Sequence, residues 1–92
     1  MKARLIARIK EAYERGIVEG VIWDVPAPAG SSAHRIKYRL VYVVGGERVV
    51  GYDNERGKGD HKHIRGAQAA YVFKDVPTLI NDFLQDVQEA GS

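Results

Sequence analysis

Apolar positions along the 92 residues recur with two different periods. Between residues 3 and 15, Leu5, Ile6, Ile9, Ala12 and Tyr13 follow i, i+1, i+4, i+7, i+8 spacing, the single stripe of an amphipathic helix. Gly16 is placed to end it. Arg4, Arg8, Glu11 and Arg15 then fall on another face. That face reads as a solvated row with a Glu11–Arg15 pair at i,i+4, or as a basic edge facing phosphate. From residue 17 the period changes. Residues 17–25 are rich in β-branched and aromatic side chains, which predicts a strand. Pro26, Pro28, Gly30, Ser31 and Ser32 interrupt the pattern. A long alternating strand follows over roughly 33–44. His34, Ile36, Tyr38, Leu40, Tyr42 and Val44 form its apolar face, and Arg35, Lys37 and Arg39 begin its basic one.

Gly45-Gly46 is a two-residue hairpin signal, so residues 47–53 return as the next strand. A two-residue loop sets Tyr38 opposite Asp53 and Lys37 opposite Asn54, a register that a one-residue slip would undo. His61 to Ile64 fit a third strand of the meander and Ala70 to Phe73 a fourth, joined near Gly66. Asp75 then caps a last helix with Pro77 in its first turn. Val76, Leu79, Ile80, Phe83, Leu84 and Val87 give that helix a continuous apolar stripe. The expectation is one α+β domain over 1–92. It has an antiparallel meander of about four to five strands, flanked by an N-terminal and a C-terminal helix on one face.

Composition narrows the partners. At this length the chain buries one modest core, and a partner or a second copy in a homodimer would help it. Ordinary apolar content excludes a disordered chain. No cysteine occurs, which removes disulfides and cysteine-type zinc sites and fits a reducing cytoplasm. No apolar run approaches the roughly 20 residues of a membrane span, and the N-terminal segment lacks the apolar core of a signal peptide. A formal charge of +2 permits a nucleic-acid partner without demanding one.

The chemistry concentrates in residues 52–63, Tyr-Asp-Asn-Glu-Arg-Gly-Lys-Gly-Asp-His-Lys-His. This stretch holds two histidines, three carboxylates, an amide and three cations. His61 and His63 are two apart, so on a strand they share a face while Lys62 takes the other. Two imidazoles on one face supply an acid and a base. RNA cleavage needs such a pair. One group takes the 2′-hydroxyl proton, the other protonates the leaving 5′-oxygen, and a cation stabilises the phosphorane. Lys58, Arg56, Arg35 and Arg39 are the candidate cations. Asp53 or Asp60 could orient an imidazole. No cofactor and no metal is required.

Two other readings stand beside this one. Asp53, His61 and His63 could instead ligate a metal in a hydrolase or nucleotide-modifying enzyme, although Lys58 and Lys62 would oppose a dication. The stretch could also be a solvated loop of a non-enzymatic module that binds protein or nucleic acid. His34, at the start of an apolar face, reads first as a strand-end histidine bonded to backbone. Trp23, Tyr38 and Tyr42 could stack on bases but read first as core.

The stretch Val49 to His63, with His34 ahead of Tyr38-Arg39-Leu40 and Tyr71-Val-Phe73 ahead of Asp82-Phe83, resembles the TumE-type family of small bacterial proteins. The resemblance spans roughly residues 17–88. It implies the toxin of a toxin–antitoxin pair, with a cognate, typically helix-turn-helix, antitoxin as partner. It singles out His34, Asp53, Asn54, Lys58, Asp60, His61 and His63. A fold-level analogy to small ribonuclease toxins, which place a helix before an antiparallel meander, points the same way. Combined with the chemistry above, the expectation is a metal-independent ribonuclease. His61 and His63 serve as acid and base, Lys58 and more weakly Arg35 as stabilising cations, and Asp53 and Asn54 as positioning groups. Arg8, Arg39 and Arg56 hold RNA phosphates, and His34 and Asp60 lend support.

Overall fold

The computed structural model describes residues 2–26, 34–54 and 59–91. Among these residues six strands, β1 (Arg4–Tyr13), β2 (Gly16–Asp24), β3 (Ile36–Val44), β4 (Glu47–Asp53), β5 (His61–Ile64) and β6 (Ala67–Ala70), precede one helix, α1 (Val76–Gly91). The strands form one antiparallel sheet in chain order, β1 to β6. The helix covers one face of it, packing on β3 and β4.

The expected N-terminal helix is instead β1. The helical stripe of that segment coexists with an alternation in which Ala7, Ile9 and Tyr13 are the inward positions. The tie is broken by pairing: Arg4 to Tyr13 meets Asp24 to Gly16 along a nearly continuous ladder, which no isolated helix could match against an already apolar β2. The extra residue Ile6 is taken up where the register shifts between Leu5 and Ala7. Glu14, at φ 52°, makes the turn, so Gly16 starts a strand and ends no helix. The Glu11–Arg15 helical pair does not form. With the helix gone from the N-terminus, the analogy to helix-first ribonuclease toxins also falls.

Both later hairpins turn on two residues with positive φ, Gly45-Gly46 (59° and 82°) and Arg65-Gly66 (49° and 86°), the geometry that matches strand twist. The first keeps the expected register only for its first two pairs, Val44 with Glu47 and Val43 with Arg48. A shift between Tyr42 and Val43 then puts Tyr42 opposite Val50 and Arg39 opposite Asp53. The expected Tyr38–Asp53 pairing is therefore off by one. β6 is Ala67–Ala70, earlier than expected, and Tyr71 to Phe73 form the connection to the helix.

Even positions of β2 and β3 face the helix. Val18, Ile22, Tyr38, Leu40, Tyr42, Val50 and Tyr52 bury against Leu79, Phe83 and Val87, three helix residues at i, i+4, i+8. Leu84, at the edge of the predicted stripe, is partly exposed. Asp75 caps the helix by accepting from the Thr78 amide at 2.8 Å. Polar bonds fix the helix angle. Tyr71 donates to Asp82 at 2.6 Å, Tyr52 donates to the Asp86 carboxylate, and Lys62 reaches Asp86 at 3.3 Å. Burial, reinforced by these carboxylates, holds the Tyr52 and Tyr71 hydroxyls protonated well above their ordinary range.

Candidate functional site on the open sheet face

The face away from the helix carries the odd positions of β2 and β3 and their neighbours. Three cross-strand rows run over it. One is Arg8, Val21, Arg39, Asp53, His61 and Ala70. The next is Lys10, Glu19, Val41, Gly51, His63 and Gln68. On the other side lies Leu5, Trp23 and Lys37. Directly opposed residues in neighbouring strands stand about 5 Å apart, so Asp53 is flanked by Arg39 on β3 and by His61 on β5.

His61 and His63 share this face, their rings 5.3 Å apart and nearly perpendicular. Lys62 between them turns to the helix side. His61 is buried and held from two directions, with Nε2 3.1 Å from Asp53 Oδ1 and Nδ1 3.0 Å from the Gly59 carbonyl. Both partners are acceptors, so both bonds form together only when the ring carries two N–H groups. His63 is less deeply buried.

Arg48 was not anticipated. A Cβ on Gly51 would stand 2.9 Å from Arg48 Cδ and 3.2 Å from its Nε. The arginine therefore lies across the bare backbone of Gly51, whose partner on β5 is His63. The signal available in the sequence was a glycine inside a strand, which marks close approach by another group. Arg8 and Arg39 line a shallow concavity of about 260 Å³ with Lys10, Glu19, Val21 and Val41. Lys10 is paired with Glu19 at 3.5 Å.

Other expected residues lie elsewhere. Arg35 turns toward β2, donating to the Val25 carbonyl at 2.9 Å and approaching Asp24 at 3.7 Å, and is not brought to the imidazoles. Asn54 is fully buried. It accepts from the Tyr38 amide at 3.1 Å and donates to the Ile36 carbonyl at 2.7 Å, extending the β3–β4 ladder. It ties the two strands together. His34 accepts from the Ile36 amide through Nδ1 at 3.1 Å and donates through Nε2 to Asp60 at 2.8 Å. Its ring stacks on Phe73 at 4.0 Å. The His34–Asp60 pair thus ties the start of β3 to the start of β5. Burial and the Asp60 charge keep the neighbouring Tyr38 protonated far beyond its ordinary range. Arg56 and Lys58 lie outside the described residues. Among the described residues no cluster of three His, Cys, Asp or Glu could hold a metal, and no helix is long and apolar enough to cross a membrane.

These features define a small α+β protein whose uncovered sheet face carries arginines and a paired histidine. The chain matches the profile of the family described as Toxin TumE over residues 2–90, and it belongs to that family. Membership carries a toxin role and a cognate antitoxin partner. No curated protein and no solved structure matches the chain significantly.

Proposed function

We propose that this toxin cleaves RNA on its open sheet face without a metal. The observation that carries the reading is the single-face grouping of His61, His63 and Asp53 with Arg39 and Arg48 on adjoining register positions. His61 is the acid: Nδ1 stays on the Gly59 carbonyl while Nε2–H passes from Asp53 to the leaving 5′-oxygen. His63 is the base that takes the 2′-hydroxyl proton. The 2′-oxygen then attacks phosphorus as the 5′-oxygen departs, and Arg48 meets the charge that builds on the phosphoryl oxygens. Arg8 and Arg39 anchor flanking phosphates, which positions the strand without reading its sequence. The buried tyrosines, held protonated, serve as neither base nor nucleophile.

The test is induced expression from a tightly repressed promoter of the parent and of a His61→Ala/His63→Ala variant, followed by growth and total-RNA integrity. Purified protein is incubated with RNA in the presence and absence of EDTA. Growth arrest with EDTA-resistant cleavage, both absent in the variant, is the expected result. Cleavage abolished by EDTA would transfer the reading to a metal enzyme. Arrest by both proteins with intact RNA would transfer it to a toxin that acts by binding.

A further inference from the structure

We propose that Trp23 is a base-stacking subsite for single-stranded RNA, set on the same open face as the histidines. The inference rests on the RNA reading above and specifies the substrate's form. A tryptophan in a strand is ordinarily core. Here the neighbouring Ile22 takes the core position, fully buried under the helix. The register turns Trp23 outward between Leu5 and Lys37, both exposed. The indole is partly exposed, and none of the ring–ring contacts among the described residues involves it.

Its surroundings select the occupant. Two residues along β2 lies Val21, flanked by Arg8 and Arg39. Lys37 stands beside Trp23 itself. An aromatic plane bordered by spaced cations is the arrangement that stacks a base while the backbone phosphates meet positive charge. From strand spacing and rise, Trp23 is about 16 Å from His61 across the sheet, a distance a few nucleotides span. A strand crossing the sheet would place a base on Trp23, a phosphate between Arg8 and Arg39, and a downstream phosphodiester at His61 and His63. A duplex keeps its base faces stacked internally and cannot offer one to Trp23, so the occupant is single-stranded.

Trp23 is the only tryptophan, which makes its fluorescence a reporter of this position. The His61→Ala/His63→Ala protein, which leaves RNA uncut, is titrated with a single-stranded hexaribonucleotide, with the same sequence as a duplex, and with purified antitoxin. Trp23→Ala and Trp23→Phe are added to it, with their affinity read from the anisotropy of a labelled hexaribonucleotide, and folding is checked by circular dichroism and thermal melting. Saturable quenching by the single strand is expected, with little from the duplex. Affinity should fall roughly tenfold in Trp23→Ala and stay near the parent in Trp23→Phe. Undiminished RNA binding by Trp23→Ala would overturn the stacking subsite while leaving the RNA reading intact. No binding of either RNA by the parent would remove the RNA reading as well. Quenching by antitoxin alone would mark the patch as a protein-docking surface and overturn the inference. If Trp23→Ala does not fold, the quenching of the parent and the binding of Trp23→Phe still decide.

Discussion

Gly51 makes room for Arg48, and that vacancy is what sets a guanidinium beside β5. A methyl group there would stand too close to the flexible end of the arginine, so the side chain swings away while the backbone stays. Gly51→Ala is therefore expected to lower RNA cleavage about as much as Arg48→Ala. Its melting temperature should hold or rise slightly, because alanine restricts the unfolded chain. Measuring cleavage rate and thermal stability on both variants checks this, and a Gly51→Ala protein with parental activity would remove Arg48 from the site. Asp53 invites a sharper comparison. Asparagine keeps an oxygen acceptor where Asp53 Oδ1 stands 3.1 Å from His61 Nε2 but loses the carboxylate's charge. Asp53→Asn should cut the cleavage rate by roughly 10²-fold, the low end of what acid–base catalysis contributes, with substrate affinity nearly unchanged. An equal loss of affinity and rate would mean that Asp53 shapes the binding surface instead.

At the level of elements, two polar side chains do work that apolar patterning does not describe. Asn54 closes the β3–β4 ladder one step beyond the strand. Asn54→Ala leaves a buried amide and a buried carbonyl without their partner, at a cost of about 1–3 kcal/mol. That should appear as a fall in melting temperature of at least about 4 °C. Asp75 caps α1, and its bond to Thr78 holds its carboxyl below the ordinary value of 3.8. A depressed carboxylate stabilises the fold fully above its unfolded value, and that contribution is lost as pH falls through the lower folded one. Asp75→Ala should thus be less stable than the parent at pH 7, with the gap closing below about pH 4. Melts at both pH values test it, and a gap independent of pH would show that charge is irrelevant to the cap. The cap was legible because it needs only a carboxylate three residues before Thr78. The two hairpin turns and the buried face of α1 were legible for similarly local reasons. β1 was not, since Leu5 to Tyr13 satisfies both periods and only its pairing with β2 decides between them. The bulge near Val49 was equally invisible. It moved Asp53 from Tyr38 to Arg39, so the common face of His61 and His63 followed from their spacing, while the carboxylate and cations around them required the fold.

Across the whole molecule the sheet sorts charge that composition averages away. A formal charge of +2 describes a nearly balanced chain. Yet Asp82 and Asp86 are spent on the helix side, bonded to Tyr71, Tyr52 and Lys62. Arg8, Lys37, Arg39 and Arg48 are exposed on the opposite face. An antiparallel sheet with a helix on one side leaves its other face to solvent, and here that face is cationic with aromatic and imidazole groups between the charges. If all four cations meet phosphates of a single strand, log affinity plotted against log salt should slope by about −3, at roughly 0.7 per contact. Each single substitution to alanine should reduce the slope by about 0.7 and weaken binding similarly for every sequence tested, since phosphate contacts carry no sequence information. Binding of a labelled hexaribonucleotide at several salt concentrations measures this directly. A slope near zero would mean that RNA does not lie across this face, and the histidines would then have to be explained by a substrate that carries no backbone charge.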